Sequence, residues 1–218
     1  MKTDKNAAFT MIGLITMILL TITKVVPSSP IAGYAVFAGI AFFFIVEAVT
    51  KTHGTESGLR FKTVSADMKK PGVLLWTLLP IASAIITFIA GNMIFSGTFV
   101  SHVIGRSDAM LSFHKIPLLV GQVIIAALGE EIAFRGFFVG KGMKLFPFWA
   151  CAVVSSIVFA AGHITAGNVG IVIYDVSSIF IDSIIYTIVY RKSGNCLISA
   201  VSHILSNGIA ITAAFIFF

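Results

Sequence analysis

Charge is what this 218-residue chain has least of. Only 11% of its residues are Asp, Glu, Lys or Arg, against 57% apolar, and mean hydropathy is +1.01. A soluble domain carries about 25% charged residues, so a water-soluble globule is excluded and a polytopic helical membrane protein is expected. Cysteine is nearly absent. Cys151 and Cys196 stand alone, with no C-x-x-C and no His beside either. That argues against a disulfide scaffold or a thiol nucleophile and leaves two small buried hydrophobes. There is no internal repeat and no linker, so residues 1–218 form a single integral membrane domain. There is also no H-E-x-x-H zinc signature. The formal net charge of +6 does not signal nucleic acid, because the basic residues sit in short loops between apolar runs.

What is there in quantity is hydrocarbon. Twenty Phe residues suit lipid-facing helices, and about 20 apolar residues cross a bilayer core of about 30 Å. About seven spans are expected, with six to eight compatible: 7–26, 31–50, 72–96, 117–140, 148–166, 169–190 and 196–218. Lys2 and Lys5 ahead of the first run have the shape of a signal peptide. The run is long enough to span, and Val26-Pro27-Ser28-Ser29-Pro30 offers no small-x-small cleavage site, so a retained helix is expected. With the N-terminus inside, Lys2, Lys5, Lys51, Arg60, Lys62, Lys69, Lys70, Lys141, Lys144, Arg191 and Lys192 fall on the inner side. Only Lys24, Arg106 and Lys115 fall outside. This bias predicts a multi-pass protein of the cell membrane with its N-terminus cytoplasmic. The basic stretch from Lys51 to Pro71 reads as a cytoplasmic loop at the headgroups.

Against that background three segments carry ionisable groups into greasy stretches: Gly129-Glu130-Glu131-Ile132-Ala133-Phe134-Arg135-Gly136, Phe159-Ala160-Ala161-Gly162-His163 and His203-Ile204-Leu205-Ser206-Asn207. Burying such groups costs several kcal/mol each unless they find partners. Residues four apart share a helix face, so Glu131 can pair with Arg135 while Glu130 points elsewhere. Glu130, without a same-face cation, suits proton transfer. Phe159 shares a face with His163, and His203 with Asn207. At 1.5 Å per residue, Glu130, His163 and His203 lie roughly 15, 22 and 12 Å from the inner ends of their spans. One buried site reachable from the cytoplasmic side is therefore expected. Taken singly, each pair also fits an ordinary packing link.

The three segments together resemble the CPBP family, the CAAX proteases and bacteriocin-processing enzymes. The family pattern is E-E-x-x-x-R, then F-x-x-x-H, then H-x-x-x-N or H-x-x-x-D, and all three stand intact and in order over about residues 117–212. The resemblance implies an all-helical intramembrane endopeptidase, glutamate-dependent and similar to type II CAAX prenyl endopeptidases, with 117–212 as its catalytic core. Such enzymes remove the last three residues after a prenylated cysteine. Bacterial members are linked to peptide maturation, bacteriocin self-immunity and quorum signalling. By motif, Glu130 with His163 would activate a water, and His203 with Asn207 would stabilise the oxyanion. Glu131 and Arg135 would orient the site, with Phe159 in support. No cofactor is expected, although Glu130, His163 and His203 match the Glu and two His that a catalytic zinc accepts. The expected partners are a membrane-associated peptide or lipidated protein and membrane lipid.

Two further readings stand beside this one. A non-enzymatic membrane immunity or regulatory protein could use the same polar cluster to bind a peptide. A transporter could use Asp175 and Asp182, which share a helix face with serines around them. Those acids otherwise line a polar cavity or pair with Arg135 or Arg191. Glu47 is expected to reach toward the headgroups, and His53, His102 and His114 to sit in solvated loops. Tyr174, Tyr186 and Tyr190 read as packing or interface anchors.

Overall fold

The computed structural model describes residues 2–23, 33–51, 57–107, 112 and 115–217, excepting the side chains of 2–4, 214 and 217. Helix is the only extended regular structure among them, as expected where the surroundings offer the backbone no hydrogen bonds. In chain order the helices are α1 (Lys2–Ile22), α2 (Tyr34–Thr50), the short α3 (Val64–Met68), α4 (Val73–Ile94), α5 (Thr98–Ser107) and α6 (Ile116–Glu131). The last runs on through a π-helical stretch, Ile132–Val139, into α7 (Gly140–Gly142). After it come α8 (Phe148–Ala161), α9 (Val169–Ser193) and α10 (Cys196–Phe217).

Every predicted span contains a helix, though not every helix has the length of a span. Among the described residues five helical stretches are long and apolar enough to cross a membrane: Lys5–Ile22, Val73–Ile94, Ile116–Gly142, Val169–Ser193 and Cys196–Ala213. The helices Tyr34–Thr50 and Phe148–Ala161 are shorter, with 17 and 14 residues. They reach about 25 and 21 Å against a core of about 30 Å. The sequence count measured runs of apolar residues, and such runs continue past helix ends. The stretch Val26 to Pro30, read as offering no cleavage site, lies outside the described residues, as do His53 and His114.

The surface is hydrocarbon and the interior holds polar groups. Ile86, Met93 and Ile125 are 66%, 78% and 73% exposed, while Glu131, Arg135, Ser183 and Asn195 are fully buried. Hydroxyls join helices where apolar contact gives no preference over lipid. Ser202 Oγ on α10 donates to the Thr77 carbonyl at 2.7 Å, and Ser206 Oγ to the Pro80 carbonyl at 3.3 Å. Both lie at the point where Pro80 removes a backbone donor from α4. The π-helical stretch packs on α2. There Gly39 is required, since a Cβ would stand 2.6 Å from Ala133 Cβ.

One end of the bundle is basic and tightly tied. Gly194, at φ +70, turns α9 into α10, and the segment from Ser57 to Lys70 clamps that turn. Asp67 pairs with Lys70 at 2.8 Å and Arg60 at 3.0 Å, and accepts from Thr63 at 2.7 Å and Asn195 at 3.0 Å. Arg60 and Lys70 also donate to the Ser193 carbonyl. The described part of this basic stretch is thus folded onto protein rather than spread along headgroups, because its one acid has four partners here. Glu47 does not extend outward either. Its carboxylate takes Lys141 Nζ at 2.7 Å, which joins the end of α2 to α7. The opposite end is closed by α5, which the sequence reading left as loop. Phe99 on α5 packs edge-on against Tyr174 of α9 at 5.2 Å.

Candidate active site

Glu131 ends α6 and Arg135 lies one turn on, in the π-helical stretch. Arg135 Nη1 donates to Glu131 Oε1 at 2.9 Å. Its Nη2 donates to the Ser183 carbonyl and hydroxyl on α9 at 2.9 and 2.8 Å. The guanidinium is held between the rings of Phe159 and Tyr186, 4.9 and 5.3 Å from their centroids. This places an arginine in a fully buried position with both terminal nitrogens engaged, a geometry a lysine lacks.

The same Glu131 oxygen meets His203 Nδ1 at 3.1 Å. An ionised carboxylate only accepts, so Nδ1 carries the hydrogen of that bond. The imidazole is stacked on Tyr186 at 4.6 Å and meets Phe159 edge-on at 5.9 Å. Fixed in this way, its Nε2 faces Glu130 Oε2 at 3.7 Å. That is longer than a hydrogen bond but close enough for both atoms to touch one water. Glu130 retains 19% side-chain exposure, whereas Glu131 has none. The two adjacent carboxylates therefore have separate environments, one braced and one open.

His203 lines a cavity of about 100 Å³ that Phe159, His163, Asp182, Tyr186 and Asn207 share. His163 packs on Phe159 at 4.8 Å, with Nδ1 2.9 Å from the Phe159 carbonyl oxygen. The cavity lies toward α5. It is walled by the later part of α4, by α5, by the end of α8, by α9 and by α10. The basic turn between α9 and α10 is at the other end. The helix α8 ends at Ala161, so His163 sits just beyond it, on the side of α5.

A family model described as type II CAAX prenyl endopeptidase Rce1-like matches residues 112–209. Over that segment, just under half of its length, the chain is similar to the CPBP family of CAAX proteases. No curated protein and no solved structure matches it. All the residues picked from the motifs, Glu130, Glu131, Arg135, Phe159, His163, His203 and Asn207, fall within this matched segment and on one chain of contacts or on the cavity it borders. Among the described residues no group of three His, Cys, Asp or Glu is arranged to hold a metal ion.

Sequence reasoning missed three things about this site. Tyr186, expected as a packing anchor, is the stacking partner of His203. Ser183 is the far anchor of Arg135. The spacing of Asp182, Ser183 and Tyr186 along α9 was the available signal, since residues three and four apart come to neighbouring positions on one helix. Asp175 pairs with neither Arg135 nor Arg191. It meets Arg106 Nε at 3.2 Å and His102 Nε2 at 3.3 Å, so His102 is a helix residue paired with an acid of α9 and not a solvated loop histidine.

Proposed function

We propose that this protein is a glutamate-dependent intramembrane endopeptidase acting on a membrane-associated or lipidated peptide. One observation carries the reading. His203 is gripped through Nδ1 by Glu131, turns Nε2 toward Glu130, and stands on the wall of a cavity shared with His163 and Asn207. A peptide bond cut without a Ser or Cys nucleophile requires a base, a water and donors for the oxyanion. Glu130, with His163, holds and deprotonates the water. The resulting hydroxide attacks the scissile carbonyl. His203 and Asn207 donate to the oxygen as it becomes negative. Because Nδ1–H is committed to Glu131, Nε2 donates only from a doubly protonated ring. The proton taken by Glu130 then passes to the departing amine.

The seven helices that match the predicted spans, two of them short, form the membrane domain in this reading, with the basic end in the cytoplasm. The experiment is cleavage of a lipidated peptide by purified protein and by Glu130→Gln. Loss of at least about 10³-fold in kcat is expected, in line with removal of a group acting in the transition state, with unchanged thermal unfolding. Full cleavage by Glu130→Gln would overturn the assignment. Should that variant also preserve a cellular immunity phenotype, binding without hydrolysis would be the function. Cleavage surviving strong chelation is expected as well, and its loss would restore the zinc alternative.

A further inference from the structure

Four acids stand around the site, and three have a guanidinium or an imidazole against them. Glu131 has Arg135 at 2.9 Å, Asp175 has Arg106 at 3.2 Å, and Glu130 has His203 at 3.7 Å. The fourth, Asp182, lines the cavity with His203, Tyr186 and Asn207 and forms no ion pair among the described residues. The residue is partly open, but its Oδ1 is buried and has no hydrogen-bond partner among them. The Ser83 hydroxyl on α4 stands beside the carboxylate, and a single hydroxyl satisfies only part of what two carboxylate oxygens accept. Arg135 is not free to serve Asp182. It is bonded to Glu131 and to Ser183, and adjacent helix residues point about 100° apart. Ser183 therefore faces the buried guanidinium while Asp182 faces the cavity. A carboxylate short of partners in an apolar interior is costly, and a cation entering the cavity removes that cost.

We propose that Asp182 is the seat for a positively charged side chain of the substrate, a Lys or Arg within about two residues of the bond that is cut. This rests on the protease reading above. Placement sets the distance. Asp182 and Tyr186 lie four apart on α9, one turn or about 6 Å along the helix axis, and Tyr186 is stacked on His203. An extended chain advances about 3.3 Å per residue, so the seat lies roughly two residues from the imidazole that takes the oxyanion. Asp182 is displaced from Tyr186 toward the start of α9, away from the basic turn and on the side that α5 closes. His203 is close enough for its charge to act on Asp182. Charge balance selects a cation over a neutral donor. Glu131 and Asp175 are each matched by an arginine and Glu130 faces an imidazole, which leaves one carboxylate on the wall with nothing against it. A substrate Asp or Glu is repelled from the same position.

The probe is a series of fluorescent peptides in which one Lys is moved through an otherwise neutral sequence, each paired with a norleucine twin of the same length and shape. An N-terminal palmitoyl chain holds them at the bilayer and removes the terminal amine as a rival cation. Binding to full-length Glu130→Gln protein in phosphatidylcholine nanodiscs is followed by fluorescence anisotropy, so no cleavage is needed and the lipid adds no net charge. At one register of the series the Lys peptide should bind about tenfold tighter than its twin, the scale of a charge-assisted hydrogen bond. Adding Asp182→Asn should bring that pair level. Asp182→Glu, which keeps the charge and moves it, should retain part of the preference, and thermal unfolding of both variants guards against a chain that fails to fold. No register that prefers Lys, no binding of any peptide, or a preference that survives Asp182→Asn overturns the seat. Cleavage by the wild type is mapped separately by mass spectrometry. A cut more than about two residues from the favoured Lys also overturns it. Absence of any cut alongside an intact Lys preference would sink the protease reading and leave the seat standing.

Discussion

Arg135 is the residue on which the geometry of the site turns. It makes three hydrogen bonds and two ring contacts, and through Glu131 it sets the position of His203. Breaking a buried ion pair by removing one partner costs about 3–5 kcal/mol, because the other charge is left without compensation. Arg135→Lys keeps the charge but cannot reach Glu131 and Ser183 together. We expect this variant to unfold at a lower temperature in detergent micelles. Its kcat should fall while KM stays near the wild-type value, since Arg135 is in contact with His203's partner and not with substrate. An unchanged kcat would show that Glu131 holds His203 without help. At this scale the sequence was readable where partners are close in number. Glu131 and Arg135 share a face four residues apart, and so do Phe159 and His163. The bond from Glu131 to His203 crosses 72 positions, and no local spacing encodes it. Helical periodicity likewise could not tell which imidazole would stand nearest Glu130.

At the scale of elements, apolar runs located the helices but not the places where they depart from regularity. The π-helical stretch from Ile132 to Val139 has the composition of an ordinary helix, yet all eight residues are buried. π-turns of this kind gather at functional sites. Here it lies directly after the two carboxylates and carries Arg135. The helix α5 was missed because its residues alternate polar and apolar over only ten positions, too few to stand out beside longer runs. The clamp around Asp67 was missed because its far anchors, Ser193 and Asn195, lie more than 120 positions away at the end of α9 and in the following turn. That clamp has a measurable pH signature. Burial pushes the Asp67 carboxyl up, but hydrogen bonds from Lys70, Thr63 and Asn195 and the charge of Arg60 outweigh it and hold the carboxyl at about 2, against an ordinary 3.8. A depressed folded-state value means that the clamp stabilises fully above about pH 4 and loses its contribution as pH falls toward about 2. The difference corresponds to about 2 kcal/mol. Asp67→Asn should lose about that much stability at neutral pH and should show a flatter acid-unfolding profile than the wild type between pH 5 and 2. Parallel profiles would mean that the Asp67 charge adds nothing.

For the molecule as a whole, two gradients run along one axis and point opposite ways. Lys141 is tied to Glu47, Arg191 to Met143, and Arg60 and Lys70 to Ser193. These contacts gather the basic loops at one end of the bundle, in the grouping that the positive-inside bias anticipated. The cavity and Arg106 are toward the other end. With a cytoplasmic basic end, the cavity and Arg106 would lie nearer the outer leaflet than the basic loops do. Depth counted along separate helices could not reveal this, since it gave distances from one surface and not the direction in which the groups open. The orientation can be read by thiol labelling, because both native cysteines are buried. Lys144 and Lys115 are exposed, on the basic and cavity sides respectively. With the basic end inside, a membrane-impermeant maleimide added to intact cells should label Lys115→Cys at once and Lys144→Cys only after permeabilisation. The reverse pattern would turn the cavity toward the cytoplasm, and the surplus of Lys and Arg would then follow from the clamp and the Glu47–Lys141 pair rather than from the membrane potential. Either result assigns the compartment from which the substrate comes, which decides between a secreted or surface-held peptide and one released at the inner leaflet.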